Sequence, residues 1–287
     1  MKSDFDCVII GAGIAGLTAA IYLKRANVNV LVIEKDAPGG LLNKINKIEN
    51  FPGHISITGP DLAYKLYEQV NSLGIEIRYG NVFDIKNNII KTDIEEIKAK
   101  TIILAVGRKA RKLENTTNLK NISYCVLCDG NLYRNKTVAL VGSNNMAFDE
   151  AIYLSDICSK VILISKEKIE SEEIIYKLKT KNNIDIHDEC VIKTLNSNNN
   201  ILTSIITNKN EFEVDAMFVS LGYEPDLQFL NEIKKENGYI IVNDKMQTNI
   251  DYIFACGDII KKDVYQLTTA AAEATIAAIN IKKLLNK

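Results

Sequence analysis

Within SYCVLCDG, Cys125 and Cys128 are separated by two residues, and no other pair of cysteines in the chain has that spacing. Two thiols so placed can close a small, reversible disulfide ring, and the arrangement can favour the thiolate form of one of them. Asp129 follows directly, so a carboxyl is at hand to give a proton to a departing thiolate. A zinc site would need further ligands, and the only histidines, His54 and His187, lie far off in sequence. Redox cycling of a dithiol is therefore expected, and no metal. Cys7, Cys158, Cys190 and Cys256 read as buried small hydrophobes, with Cys7 and Cys256 in strands, Cys158 in a helix and Cys190 near a strand start.

A phosphate-binding turn is the second chemical feature. The strand DCVIIGAGIAG leads into the helix LTAAIYLKRAN and the strand VNVLVIEK. Gly11 permits a tight turn, Gly13 leaves room for a pyrophosphate against the backbone, and Gly16 lets helix pack on strand, with the helix amino terminus facing the phosphate. Glu34 closes the second strand and can accept hydrogen bonds from a ribose diol. The unit recurs further along. Offsets of 2, 5 and 23 from Gly11 give Gly13, Gly16 and Glu34, and the same offsets from Gly142 give Asn144, Ala147 and Ser165. The tetrapeptide AIYL begins nine residues after each origin, at Ala20 and Ala151. The chain thus holds an internal repeat of one βαβ unit.

These elements imply an α/β protein of two doubly wound, Rossmann-like dinucleotide-binding domains, the second inserted into the first. The polar, turn-like LENTTN and NDKMQT mark the crossings, so residues 1–116 and 246–287 form a discontinuous first domain and 117–245 the insert. TNIDYIFACGDII reads as a late strand ending at Gly257 and Asp258, followed by a closing helix, QLTTAAAEATIAAINIKKLL, with Thr268 and Thr269 as candidate caps. Hydrophobic residues make up 47% of the 287, charged residues 25%, and the formal net charge is -1. Nucleic acid is not expected as a partner at that charge, and no segment is apolar and long enough to span a bilayer. The start of the chain runs straight from polar residues into a strand, so a cytoplasmic location is expected. Six cysteines in this length are too few for a disulfide scaffold.

Over nearly its whole length the chain resembles the low-molecular-weight thioredoxin reductases. GAGIAG matches that family's FAD turn, GGLLNKINKIENFPG its second flavin segment, SYCVLCDG its redox motif and FACGD its ribityl-contacting motif. The resemblance implies a homodimeric flavoprotein, with FAD in the discontinuous domain and the dithiol in the insert, which rotates to serve two partners. It implies that Gly11, Gly13, Gly16, Glu34, Gly40, Asn50 and Asp258 hold FAD. It also implies that Cys128 faces the flavin, that Cys125 exchanges with the partner's sulfur and that Asp129 is the acid. Leu41 stands where the family usually has glutamine, so one polar flavin contact is missing.

The insert departs from the family where NADPH would bind. The glycine turn has become GSNNMA, and the basic triplet that clasps a 2′-phosphate has become Ser165, Lys166 and Glu167. A carboxylate about 4 Å from a phosphate charge is repelled by roughly 4 kcal/mol at an effective dielectric near 20. Ser165 also replaces the acid that would read an NAD ribose. The pattern is similar to that of the ferredoxin-dependent flavin thioredoxin reductases, which lack the nucleotide motif. That implies reduced ferredoxin as electron donor and thioredoxin as acceptor. GRKARK, with Arg108, Lys109, Arg111 and Lys112, offers a basic face for an acidic ferredoxin. The rival readings are an NAD(P)H-dependent thioredoxin reductase with a divergent site, a dithiol oxidase using O2, and a non-catalytic flavin sensor.

Overall fold

The computed structural model describes residues 4–45, 47–116, 118–225 and 227–286. The chain divides into two compact units, Met1–Lys109 with Pro225–Lys287, and Ala110–Glu224. The first unit opens with β1 (Phe5–Ile10), α1 (Ile14–Arg25) and β2 (Val30–Glu34). It continues with α2 (Gly59–Ser72), β3 (Glu76–Tyr79), a hairpin of β4 (Val82–Lys86) and β5 (Ile89–Thr92), and β6 (Glu96–Leu104). The chain leaves it through β7 (Arg108–Ala110).

The second unit holds β8 (Ile122–Ser123), the single turn α3 (Val126–Asp129), β9 (Thr137–Val141), α4 (Asn145–Ser155) and β10 (Lys160–Ile164). Helix α5 (Glu172–Lys179), β11 (Ile184–His187), an antiparallel ribbon of β12 (Ile192–Asn198), β13 (Ile201–Thr207) and β14 (Glu211–Glu213), and β15 (Ala216–Val219) complete it. The return runs through β16 (Tyr223–Pro225), β17 (Lys235–Glu236), β18 (Tyr239–Ile240), β19 (Ile253–Ala255) and α6 (Leu267–Leu285).

The two main sheets follow one plan. The parallel strands of the first lie in the order β3-β2-β1-β6, and β19 also runs parallel to β6. Those of the second lie in the order β11-β10-β9-β15-β8. In each, an antiparallel ribbon precedes the fourth strand, so the repeat seen in sequence as one βαβ unit extends through a whole doubly wound fold. The fold is the expected pair of Rossmann-like domains, with the second inserted between the fourth and fifth strands of the first.

Alternation along β1 sets the layers. Cys7 and Ile9 face a cluster built with α1 and α6, while Val8 and Ile10 face the opposite layer. Leu227, Leu230, Ile233 and Ile240 bury themselves in that opposite layer. Residues 225–245, expected in the insert, therefore pack with the first unit: their apolar side chains cover a β1 face that would otherwise meet water. Leu113 packs in turn on the second unit's core, and its N–H lies 3.3 Å from the Tyr124 hydroxyl, so the first crossing falls earlier than LENTTN.

Two local expectations also shift. The N-cap of α6 is Gln266 rather than Thr268 or Thr269, and Thr269 completes the capping box by accepting the Gln266 N–H at 3.1 Å. Cys158 is buried in the turn after α4, because that helix ends at Ser155. Cys256 follows the last residue of β19. Among the described residues, no helix is long and apolar enough to cross a membrane.

The closest backbone approach is at Gly16, where a Cβ would come within 1.8 Å of the Gly11 carbonyl oxygen. Gly16→Ala is expected to cost about 3 kcal/mol or more, read as a fall in the midpoint of chemical unfolding.

Candidate functional site

Strand β8 holds its place by pairing with β15, Ile122 against Met217 and Ser123 against Phe218. The chain then turns into α3, whose N-cap is Cys125. Cys125 and Cys128 are joined in a disulfide with an S–S distance of 2.09 Å. The Cys128 N–H donates to the Cys125 sulfur at 3.3 Å, and the Asp129 N–H to the Cys125 carbonyl at 3.1 Å. The Asp129 carboxylate accepts a hydrogen bond from the Ser123 hydroxyl at 2.7 Å. Cys128 is exposed, while Cys125 and Asp129 are partly buried. The three residues singled out by spacing are thus gathered on one turn beyond the carboxyl end of a parallel strand, where open α/β sheets place their chemistry.

The other cysteines are unsuited to exchange. Burial pushes the Cys7 thiol up to about 12, with the neighbouring Asp6 charge adding to it, and burial raises Cys256 further still. Cys158 is raised by burial as well, and Cys190 is buried.

In the first unit the turn after β1 carries Gly11 and Gly13, and Gly16 lies in the first turn of α1. Gly11 has φ +102°, and a Cβ on Gly13 would meet nothing within 4 Å, so this side of the turn is open. Gly13 is the N-cap of α1 and contributes no side chain to satisfy the first N–H groups, which leaves them free for an anion. Glu34 is buried at the end of β2. One carboxylate oxygen accepts the Ala12 N–H at 2.6 Å, and the other accepts from Lys35 and Asp36, each at 2.9 Å. Gly40 borders Gly13, and Gly39 donates its N–H to the Ala12 carbonyl at 2.7 Å. Gly39 is the stricter of the pair: its φ is +114° and a Cβ would lie 2.5 Å from that of Ala63. The doubled glycine was the signal for it. These features fit a bound dinucleotide: an open glycine, an uncapped helix start and a carboxylate at the end of the neighbouring strand.

Asn50 and Asp258 lie in the same unit with polar partners. The Asn50 amide donates to the Gln266 side chain at 3.1 Å. Asp258 receives Arg108 through two nitrogens, at 2.6 and 3.1 Å, with Lys262 at 3.8 Å. Arg108 also lies over the Tyr265 ring, 5.0 Å from its centroid. Lys262 pairs with Glu273 at 2.9 Å, and burial raises the Glu273 carboxyl despite that partner. Arg108 therefore serves Asp258 rather than a basic docking face. Arg111 in turn faces Glu224 at 3.6 Å, and sequence gave no sign of either pairing because each joins distant segments.

The matching turn in the second unit is closed. Asn144 is the N-cap of α4, and its side-chain oxygen accepts the Ala147 N–H at 2.9 Å. Its amide donates to the Ser220 carbonyl at 3.3 Å. The Ser143 hydroxyl accepts the N–H groups of Lys166 and Glu167 at 3.1 and 3.4 Å, and lies 3.0 Å from the Ser165 hydroxyl. Turn and following loop are stitched together where a nucleotide would enter. The adjoining surface cavity includes Glu167, Lys168 and Glu170 in its lining, two carboxylates against one ammonium.

Two doubly wound dinucleotide-binding units, one presenting a disulfide on a C-x-x-C turn, are the architecture of a flavin-dependent disulfide reductase. A family model described as pyridine nucleotide-disulphide oxidoreductase matches residues 5–274. The chain is 37% identical to the thioredoxin reductase of Ureaplasma parvum, across 99% of this chain and 97% of that protein. Its structure resembles a Lactococcus lactis thioredoxin reductase in the FR conformation, with TM-score 0.89, 32% identity and 99% of both chains covered. It also resembles a ferredoxin-flavin thioredoxin reductase from Clostridium acetobutylicum, with TM-score 0.56, 31% identity and 99% of both chains covered. The chain belongs to the pyridine nucleotide-disulphide oxidoreductases and, within them, to the low-molecular-weight thioredoxin reductase family. Members of this family bind FAD, and FAD is the cofactor of this fold.

Two measurements follow from these geometries. Asn144→Ala removes the cap of α4 and is expected to lower stability by about 1 kcal/mol, seen as a lower unfolding midpoint. After mild reduction of the native protein, alkylation at neutral pH is expected to label Cys125 and Cys128 while Cys7, Cys158, Cys190 and Cys256 stay unlabelled until denaturation. Peptide mass spectrometry reads the pattern.

Proposed function

We propose that the chain reduces thioredoxin through FAD and the Cys125–Cys128 dithiol, drawing electrons from reduced ferredoxin rather than from NADPH. The observation that carries this reading is the self-capped start of α4: Asn144 fills by its own side chain the N–H valence that a nucleotide pyrophosphate would need. Glu167, in the position of the phosphate clasp, works in the same direction. Overall identity does not distinguish the donors, being 31% to the ferredoxin-flavin enzyme and 32% to the L. lactis reductase.

In this reading Gly11, Gly13 and Gly16 shape the pyrophosphate turn, the start of α1 receives the phosphate charge, and Glu34 takes the ribose hydroxyls. Gly40, Asn50 and Asp258 line the remainder. When bound, FAD supplies a carrier that accepts electrons singly from an iron–sulfur protein and passes on a pair. The Cys125–Cys128 bond takes up that pair and breaks, and Asp129 gives a proton to the departing sulfur. Cys125, its proton returned to Asp129, then attacks the thioredoxin disulfide as the thiolate, forming a mixed disulfide and releasing one thioredoxin sulfur, which takes up a proton. Cys128 displaces the second thioredoxin sulfur, so the dithiol's electron pair ends on thioredoxin and the Cys125–Cys128 bond is restored. A ferredoxin near -400 mV and a thioredoxin near -270 mV differ by ~130 mV, about 6 kcal/mol for two electrons, so the direction is downhill.

The test is anaerobic mixing of the oxidised flavoprotein with NADPH, with NADH or with reduced ferredoxin while flavin absorbance is followed. Ferredoxin is expected to bleach the flavin within a catalytic turnover and support thioredoxin reduction that Cys125→Ser abolishes. Rapid bleaching by NADPH or NADH overturns the choice of donor.

A further inference from the structure

We propose that Ser123 is the positioning residue for the proton donor of the redox centre, a role that rests on reading Asp129 as that donor. Ser123 is buried at the end of β8, and its backbone is fixed in register with Phe218 of β15. Its hydroxyl accepts the Cys125 N–H at 3.0 Å. The single hydroxyl proton has two acceptors within reach, Asp129 Oδ2 at 2.7 Å and the Cys125 carbonyl at 3.2 Å. The contact to Oδ2 is the shorter by half an ångström, so the proton goes to the Asp129 carboxyl group. Asp129 is thereby held at both ends: its N–H bonds to the Cys125 carbonyl and its Oδ2 to Ser123. One hydroxyl links the backbone of the attacking cysteine to the carboxylate that serves it.

The division of labour within the carboxyl group follows. An oxygen that accepts the Ser123 proton is occupied, which leaves Oδ1 to carry the transferable proton. When the Cys125–Cys128 bond takes up an electron pair, one sulfur leaves as thiolate and receives the Oδ1 proton. Asp129 is left as carboxylate with Oδ2 still held, and recovers its proton when that sulfur goes on to attack thioredoxin. Without the Ser123 hydroxyl the carboxyl can rotate about its Cβ–Cγ bond, and neither oxygen is assigned to the sulfur. A misdirected acid lowers the rate of the bond-breaking step and leaves the affinity for thioredoxin unchanged.

The experiment reduces the flavin of FAD-loaded, disulfide-intact enzyme by a light flash with a photochemical donor, so that ferredoxin does not enter, and follows reoxidation of the flavin by the Cys125–Cys128 bond. Ser123→Ala is expected to slow that reoxidation about tenfold, within the range that positioned acids contribute, with the thioredoxin concentration for half-maximal steady-state rate unchanged. Ser123→Thr, which keeps the hydroxyl, is expected to restore the rate to within about threefold. In an Asp129→Asn background, Ser123→Ala is expected to add less than about twofold, because its effect runs through that carboxylate. An undiminished effect of Ser123→Ala in that background, or a rate equal to wild type in Ser123→Ala alone, overturns the proposal. A wild-type rate in Asp129→Asn alone overturns the acid role itself and the positioning role with it, and is told apart by that single variant. Failure of Ser123→Thr to rescue, in protein with a normal flavin spectrum and unfolding midpoint, also counts against it.

Discussion

The first N–H groups of a helix have no partner inside it, and something must answer them. Each unit of this chain sets such a helix start just beyond the carboxyl end of a central parallel strand, β1 in the first and β9 in the second. In the first unit a glycine without a side chain leaves the groups open. In the second an asparagine answers them from within. Both helix starts follow a parallel strand, and they differ in which atom meets those amides. An internal acceptor is always present at effectively high concentration, whereas a nucleotide must arrive and displace it.

The remaining architecture keeps these two edges in shape. Val8 and Ile10 of β1, and Ala139 and Val141 of β9, are sealed by layers drawn from distant stretches of chain. Asp258 likewise depends on Arg108, 150 residues away, to hold its carboxylate. Such a half-buried pair, bonded through two nitrogens, loses much of its orientation if either member is removed. The polar groups around Asp258, from Arg108 through Lys262 to Glu273, therefore form one connected set rather than separate contacts.

Much of this was legible in the chain itself, for a physical reason. Tight turns, helix starts and dithiol rings are decided within a few residues, so Gly11, Gly13, Gly16 and the Cys125–Cys128 pair announce themselves by spacing. The repeat was visible because packing demands small residues and AIYL at matched positions. What escaped reading was set by distance along the chain. Nothing local tells that residues 225–245 cover β1, that Arg108 belongs to Asp258, or that Thr269 supports a cap at Gln266. Ser123 escaped for a different reason: it sits inside the redox motif, but a serine two residues before a cysteine signals nothing until β8 turns it towards Asp129.

The order of the strands has one more consequence. In the first unit the fifth strand, β19, comes last in the chain. In the second, its counterpart β8 comes first, ahead of all the others. The inserted unit is thus a circularly permuted copy of its host. Its entry and exit are brought together, with the Arg111 N–H donating to the Gly222 carbonyl at 2.9 Å. A module whose ends meet can be spliced into a loop without prying its host apart. The strand moved to the front is the one that ends in Ser123 and feeds Cys125. Where the host's fifth strand runs into Gly257 and Asp258, the permuted copy uses the corresponding place for sulfur.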